Sequence, residues 1–579
     1  MTTTPAAPVR DIQTIAIAPE TWFLRSRSFV RLKFEVEYAR QHGTTSNAFL
    51  LRGEKTVLLT PPGETFTALF LAELERLIPL GDIDYIVLGH INPNRFKTLV
   101  ALVERIPNVA VVCSNPGAIA LRSLIESEAP GLTVQIQVVR GQEALDLGGG
   151  RLLQFIPTPT PRWPEGLCVF DERTAMLFTD KFFGAHVADT PVFDDSGSRY
   201  SEDSRYYYDC LMANQVRQVE AVLDRLAEWP ARAIAPVHGP LLRSGGLDLI
   251  AYYREWNRGQ IEQTLSVALL FASAYGSTAT LAQALAHGIT KAGVAVETIN
   301  CEHATPEEIR EVVSRTDGFL IGSPTLGGHA PTPIQTALGI VLATAPKAQL
   351  AGVFGSFGWS GEAIDLLENK LRNAGYSFGF EPIRVKFKPT AATLQECEEA
   401  GIDFAQALKK TRKARQGRVP AAATPVEQAV GRIVGSLCVV TAREEDTSSA
   451  MLASWVSQAT FNPPGLTVAV AKDRAIESLM YPGQNFVLNI LAEERYLGLM
   501  KHFLKPFGPG EDRFVGVSTR VAANGSPILT DALAYIECQV AERMECGDHW
   551  LVYCVAEGGD VLDANGRTAV HFRTTGTRY

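Results

Sequence analysis

The 579-residue chain predicts a multidomain protein with three architectures in series: an α+β sandwich, a doubly wound α/β domain and a closed β-barrel. Over 20–258, short apolar runs interleave with helix-spaced segments. Over 262–408, five continuous apolar runs alternate with amphipathic stretches, as buried parallel strands alternate with crossover helices. Over 426–579, strand-like runs are divided by turns such as Asn462-Pro463-Pro464-Gly465 and Ala523-Asn524-Gly525. Between the last two, residues 409–425 (KKTRKARQGRVPAAATP) have no apolar periodicity and are assigned to an exposed linker.

Composition narrows the class. A hydrophobic content of 46% and a charged content of 20% belong to an ordinary globular protein. The net charge of −9 argues against a general nucleic-acid or membrane-surface binder. No apolar run reaches the length of a membrane span, and residues 1–13 lack a signal-peptide core. The nine cysteines are dispersed without a CxxC pair, which favours reduced thiols and a cytoplasmic location.

In the first segment, Phe29–Tyr38, Asn47–Leu51 and Lys55–Leu59 read as a meander, followed by a helix over Thr65–Ile78 and a strand over Ile83–Gly89. Helix Asp209–Ala227 and strand Ala233–Pro236 lead to Val237-His238-Gly239. After the strand comes Gly89-His90-Ile91-Asn92-Pro93-Asn94-Arg95. In an extended segment alternate residues share a face, so His90, Asn92 and Asn94 would converge like metal ligands. Yet the loop has no carboxylate, and Arg95 adds a fixed positive charge that a divalent cation would avoid. His42 and His186 have no spacing partner and are placed on the surface or in loops.

In the second segment, strand Leu265–Phe271 runs into Ser273-Ala274-Tyr275-Gly276-Ser277-Thr278 and a helix from Ala279. Hydroxyls and glycine between a strand and a helix N-terminus make a phosphate cradle. Two further strand ends carry Ser323-Pro324-Thr325-Leu326-Gly327-Gly328 and Ser356-Phe357-Gly358-Trp359-Ser360-Gly361. Three such loops at the carboxyl ends of a parallel sheet suit a flat ring with a phosphate tail. They resemble a flavodoxin FMN site, with Trp359 facing the ring rather than the core.

The first segment is similar to the metallo-β-lactamase-like domain of flavodiiron proteins. The matching stretches are Thr44–Ala48, Leu88-Gly89-His90, Ile156–Pro159, Arg162-Trp163-Pro164, Leu177–Gly184 and Ala235–Pro240. In that family His, Glu and Asp side chains at these places hold two irons. Here His90 and His238 keep the ligand type. The other positions carry Asn92, Asn94, Arg95, Arg162 and Lys181, with Asp180 one residue from the last. The resemblance therefore implies a degenerate pocket in which a di-iron pair is not expected: His90 and His238 would be hydrogen-bonded pocket residues, the other readings being a small anion held by Arg95, Arg162 and Lys181 and, less suited to those cations, a single metal.

The third segment resembles the flavin-reductase-like split barrel through Ala453–Pro464 and Ala471-Lys472-Asp473-Arg474. That resemblance implies an FMN or FAD lined by Ser454, Trp455, Ser457, Gln458 and Thr460, with Lys472 or Arg474 meeting phosphate. No separate GxGxxG nicotinamide fold is present, so NAD(P)H would dock directly at the flavin. The three segments in order resemble the three-domain flavodiiron proteins of oxygenic phototrophs, in an atypical, ligand-poor subunit type. This implies electron flow from NAD(P)H or a ferredoxin-like photosynthetic donor through two flavins toward reduction of O2 to water. The partner would be an iron-bearing paralogue, or a second copy in a homodimer. The alternatives are a stand-alone NAD(P)H:flavin oxidoreductase and a regulatory or scaffold subunit with an anion-binding pocket.

Overall fold

The computed structural model describes residues 10–29, 33–34, 37–38, 43–415, 424–573 and 575. It contains two compact units, one made of 1–263 with 297–305 and the other of 264–296 with 306–579.

The first unit is built on two seven-stranded sheets. One runs in the order Arg10–Ala18, Thr21–Ser28, Thr44–Arg52, Thr56–Leu59, Tyr85–Val87, Ala110–Ser114, Gln135–Val139. The other runs Ala144–Asp146, Leu152–Pro157, Leu167–Asp171, Met176–Asp180, Ala233–Pro236, Leu241–Arg243, Phe193–Asp194. The two sheets share one core: Phe23 stacks on Phe49 at 5.1 Å, and Phe49 meets Phe178 of the other sheet edge-on at 4.8 Å. The outer face of the first sheet buries Leu50, Leu58 and Ile86 against Phe70 and Leu74 of helix Thr67–Leu77 and Leu99 and Leu102 of helix Pro93–Arg105. Strands inside such a sandwich are apolar on both faces, which explains the short unbroken runs.

Several elements depart from expectation. The sheet begins before residue 20, because Arg10–Ala18 pairs along Thr21–Ser28. Of Phe29–Tyr38, only Lys33–Phe34 and Glu37–Tyr38 form a short described ladder; His42 and most of that stretch lie outside the described residues. The helix expected over Asp209–Ala227 is two, Ser201–Leu211 and Val216–Ala227. They part at a polar break where the Gln215 amide donates to the Leu211 carbonyl at 2.6 Å, competing with the helical pattern.

In the second unit a parallel sheet has the order Ala295–Asn300, Ser266–Phe271, Gly318–Pro324, Leu350–Phe357, then Ser377–Phe378 and Ile383–Lys386 on the same neighbour. This is the 2-1-3-4-5 order of a doubly wound fold. The single strand expected over Phe378–Val385 is split there. Pro382 lacks a ladder donor, and a Cβ on Gly379 would stand 2.4 Å from the Phe404 ring. Helix Ala391–Arg415 covers this sheet and takes in Lys409–Arg415, which were assigned to the linker. The basic side chains account for the extension: Lys409 donates to the Ala292 carbonyl and Arg412 to the Thr264 carbonyl. Residues 416–423 lie outside the described residues, and a short capped helix begins at Pro425. The rest of the unit is a seven-stranded antiparallel sheet in the order Thr447–Ala453, Cys438–Glu444, Asn485–Ile490, Ala534–Cys546, His549–Val561, Pro464–Ala471, Val456–Phe461.

A buried ionic cluster ties the two halves of this unit together. Lys291 binds Glu398 at 2.6 Å and also pairs with Glu477, which accepts from Arg543 at 2.7 Å. His287 completes it at 3.3 Å from Glu398. Burial alone would raise the Glu398 carboxyl, but Lys291 and His287 outweigh it and hold the group well below the usual carboxylate range. Glu398 and Glu477 balance Lys291 and Arg543, so removing one of these partners leaves an uncompensated buried charge. Lys291→Met is therefore expected to cost about 3–5 kcal/mol, read as a lower urea midpoint. A loss below about 1 kcal/mol, the scale of an exposed pair, would contradict this role.

Candidate functional site

The pocket of the first unit forms where strands Tyr85–Val87, Met176–Asp180 and Ala233–Pro236 end. Asp180, the last residue of its strand, adopts a left-handed φ of 49°. Its carboxylate lies against His90, with Oδ2 2.7 Å and Oδ1 3.0 Å from Nδ1. Gly89 permits this contact, since a Cβ there would fall 2.5 Å from Asp180 Oδ2. Burial tends to raise Asp180, but His90, Arg95 and Lys181 outweigh it and keep the carboxylate ionised. His90 is itself pushed down to about 4, by burial first and by Lys181 and Arg95 in addition, against the pull of Asp180.

His238 faces the same pocket differently. Its Nδ1 meets the Thr45 carbonyl oxygen at 2.5 Å, which places the proton on Nδ1. The Nε2 lone pair is then turned to Lys181, whose Nζ stands 3.5 Å away. Burial, Lys181, His186 and Arg95 all hold His238 well below its ordinary value. Arg95 donates to the Pro61 carbonyl at 3.2 Å, and Arg162 and Lys181 lie over the Trp163 ring at 4.9 and 5.5 Å.

The structure corrects the sequence expectation at four positions. Asn92 and Asn94 do not converge on the pocket: the chain enters helix Pro93–Arg105 there, and Asn92 Oδ1 caps it by accepting from the Asn94 N–H at 2.9 Å. Asp180 shares the pocket with Lys181, so a carboxylate is retained. His186 lies in a loop, as expected, but a buried one; its ring lies 5.0 Å from His238, and Nδ1 is 2.8 Å from Thr44 Oγ1. Glu165 was missed: half-buried beside the pocket, it accepts the Ile91 N–H at 3.1 Å, and desolvation pushes its carboxyl up to about 7. The glycine before His90 was the available signal for Asp180, because it marks a close approach. Glu165 carried none. Among the described residues no group of three or more His, Cys, Asp and Glu side chains is arranged to hold a metal ion.

At the carboxyl ends of the parallel sheet the three expected loops do come together. Thr278 Oγ1 and Ser356 Oγ are 2.8 Å apart, and the Thr325 N–H donates to the Ser356 carbonyl at 2.9 Å. Ser273 Oγ accepts from the Ala279 N–H at 3.1 Å, steadying the turn into helix Ser277–Lys291. Gly276, Gly327 and Gly328 all have positive φ and nothing within 4 Å of a Cβ position, so the cradle is open. Ser323 and Pro324 are buried in the strand end, while Leu326, Ser360 and the half-buried Phe357, Gly358 and Gly361 form the rim. Tyr275 is 85% and Trp359 92% exposed, which excludes the core-aromatic alternative for Trp359.

The barrel positions are less unified. Ser457 and Gln458 are exposed on strand Val456–Phe461, and Thr460 follows a bulge and donates to the Pro463 carbonyl at 2.7 Å. Buried Ser454 pairs with His571 at 3.2 Å. Trp455 is packed between His549, at 5.0 Å, and Arg573, at 4.9 Å. Lys472 is engaged by Glu545, whereas Arg474 is exposed.

Comparison with known proteins places this geometry. Three family models match in order: ODP family beta lactamase over 44–239, flavodoxin over 269–401 and flavin reductase like domain over 430–577. "Putative diflavin flavoprotein A 6" of Nostoc sp. is 62% identical over 98% of this chain and 99% of its own. The chain belongs to the diflavin flavoprotein family. Diflavin flavoprotein A 1 of Synechocystis sp. is 42% identical over the full length of both chains. A solved metal-soaked flavodiiron core from Synechocystis sp. is 56% identical with a TM-score of 0.67, covering 70% of this chain and 100% of its own. The family brings flavin-binding modules and oxidoreductase chemistry. No helix among the described residues is long and apolar enough to cross a membrane.

An exposed tryptophan contributes little to folding, so Trp359→Ala separates ring binding from packing. The variant should keep the wild-type unfolding midpoint of the flavin-free protein. It should bind FMN about tenfold or more weakly, since stacking on an aromatic is worth about 1–3 kcal/mol. Fluorescence titration with FMN reads this; unchanged affinity would remove Trp359 from the site.

Proposed function

We propose that this chain is the electron-input subunit of an O2-reducing assembly. NAD(P)H, or a ferredoxin-like photosynthetic donor, delivers electrons at the C-terminal domain, and a partner subunit performs the reduction of O2 to water. The strand-end cradle would hold FMN, the Ser273 hydroxyl and the backbone N–H groups of Gly276–Thr278 supplying donors for its phosphate and the exposed Tyr275 and Trp359 supplying aromatic faces for its ring. A second flavin, FMN or FAD, would be held by Ser454, Trp455, Ser457, Gln458 and Thr460. Arg474 is the better phosphate contact there, because Lys472 already has Glu545. A flavin supplies the conversion of a two-electron hydride into single electrons.

The observation that carries the assignment of O2 chemistry to a partner is the donor set at His90 and His238. An iron pair needs imidazole lone pairs and several carboxylates. Here Asp180 is spent on His90, and the His238 lone pair faces an ammonium 3.5 Å away. Arg95 and Lys181 add charge that opposes a cation by more than about 1 kcal/mol at close range. This donor set does not fit two irons. The partner is a paralogue that bears the irons, in a hetero-oligomer, and all nine cysteines being free thiols supports a reducing, cytoplasmic setting.

Oxygen uptake and peroxide are measured together, with NADH or NADPH, for this chain alone and with an iron-bearing paralogue. The lone chain should consume O2 slowly and yield peroxide; the pair should consume it faster and yield water. A lone chain that matches the pair in rate and makes water would overturn the proposal.

A further inference from the structure

A short ribbon near the end of the chain, in which Gly435 pairs with His571 and Ser436 with Val570, lies tight against Ser454. A Cβ on Gly435 would collide with the Ser454 carbonyl oxygen, and one on Gly431 would stand 2.6 Å from the Thr575 Cα. The segment between His571 and Thr575 is therefore anchored at both ends. Phe572 is 76% exposed, whereas His571 and Arg573 on either side of it are half-buried and turn inward. His571 Nδ1 reaches Ser454 Oγ at 3.2 Å, and the Arg573 guanidinium carbon lies 4.9 Å from the Trp455 ring centre. Arg573 Nη1 is buried and, among the described residues, has no hydrogen-bond partner. A guanidinium only donates, so what it lacks is an acceptor, and its fixed charge favours an anionic one.

The surroundings say which anion suits it. Val456 pairs with Val468, and the Ala469 N–H donates to the Trp455 carbonyl at 3.0 Å. The stretch Ala471–Arg474 thus runs past the Trp455 end of this strand pair, where Lys472 is engaged by Glu545 and Arg474 is exposed. The His549 ring, 5.0 Å from Trp455, belongs to the same corner. Burial first, and then the charge of Arg573, lower His571, so the positive charge beside Ser454 is carried by the guanidinium. Aromatic surface, a hydroxyl and an unmet guanidinium donor suit an oxyanion carried on a ring-bearing ligand. The flavin nucleotide and the nicotinamide dinucleotide proposed for this barrel both carry phosphate esters, and a guanidinium fork matches phosphate oxygens in geometry as well as charge.

We propose that Arg573, seated on Trp455, is a phosphate-binding residue of the barrel, taking a phosphate ester of the ligand that Ser454 and Trp455 line. This rests on the barrel holding a flavin that accepts hydride, so bound flavin and NAD(P)H oxidation are measured in the same samples. Full-length protein stripped of flavin is titrated with FMN and with riboflavin, which lacks the phosphate. Two FMN sites per chain are expected, the cradle at Gly276–Thr278 serving as internal control. The flavin-loaded protein is assayed for NADH and NADPH oxidation with ferricyanide as acceptor.

If the phosphate is the flavin's, Arg573→Met should weaken FMN at one of the two sites at least about tenfold, the worth of one charge-assisted hydrogen bond, and leave riboflavin there unchanged. If it is the dinucleotide's, FMN binding stays as in the wild type and KM for NAD(P)H rises by the same factor at unchanged kcat. Should Arg573→Met fail to fold, Arg573→Lys keeps the charge and loses the fork, and a loss of at least about threefold is expected in one arm. Smaller changes in both arms, or an equal loss of FMN and riboflavin, would overturn the proposal, the latter by making Arg573 a packing residue. With two flavins bound and NAD(P)H oxidised, those results overturn this inference alone. A wild-type chain that binds flavin only in the cradle and does not oxidise NAD(P)H overturns it together with the role given to the barrel.

Discussion

The carboxylate of Asp180 against His90 Nδ1, at 2.7 Å, is the contact on which the candidate site depends. It exists because Gly89 has no Cβ and because Asp180 takes a left-handed backbone at the end of its strand. It fixes the tautomer of His90, consumes a carboxylate that could otherwise face a metal, and gives Arg95 and Lys181 a counter-ion. His238 is locked in a matching way by the Thr45 carbonyl, with its remaining lone pair toward Lys181. The result is a hydrogen-bonded pocket in which, among the described residues, Asp180 is the carboxylate that meets His90. Such a donor set favours anions and neutral donors over divalent cations.

The second unit is organised by a different electrostatic device. Lys291 and Glu398 come from the helices that cover the parallel sheet, Glu477 and Arg543 from the antiparallel sheet region that follows. Arg543 is also packed between Tyr481, at 3.8 Å, and Trp550, at 4.0 Å, one residue from the His549 ring that packs on Trp455. Buried ion pairs of this kind specify one arrangement, because every alternative leaves a charge without its partner. For a chain with flavodoxin and flavin reductase-like modules in one unit, a fixed arrangement keeps the two modules in a constant relation.

Much of this was legible in the sequence, and the exceptions have physical causes. Parallel strands such as Ser266–Phe271 and Gly318–Pro324 are buried on both faces, so they stand out as continuous apolar runs. The glycine- and hydroxyl-rich loops at their ends were legible because open backbone and positive φ leave few residue choices. The pocket was only half legible. Resemblance by spacing preferred Lys181 at the ligand position and left Asp180 one residue away, and only three-dimensional geometry shows that Asp180 reaches His90. Asn92 and Asn94 were misjudged because alternation was assumed where a Pro at the first helical position starts a helix. The end of helix Ala391–Arg415 was hidden by its charges: tertiary carbonyl partners for Lys409 and Arg412, not apolar periodicity, hold it.

The central claim is that this chain carries the flavins of a flavodiiron system without carrying its irons. The most direct measurement is elemental iron and extracted flavin counted in one sample of the purified full-length protein after exposure to ferrous iron under anaerobic conditions. The account predicts two flavins per chain with iron far below one per chain. Two irons per chain, retained through gel filtration, would contradict it.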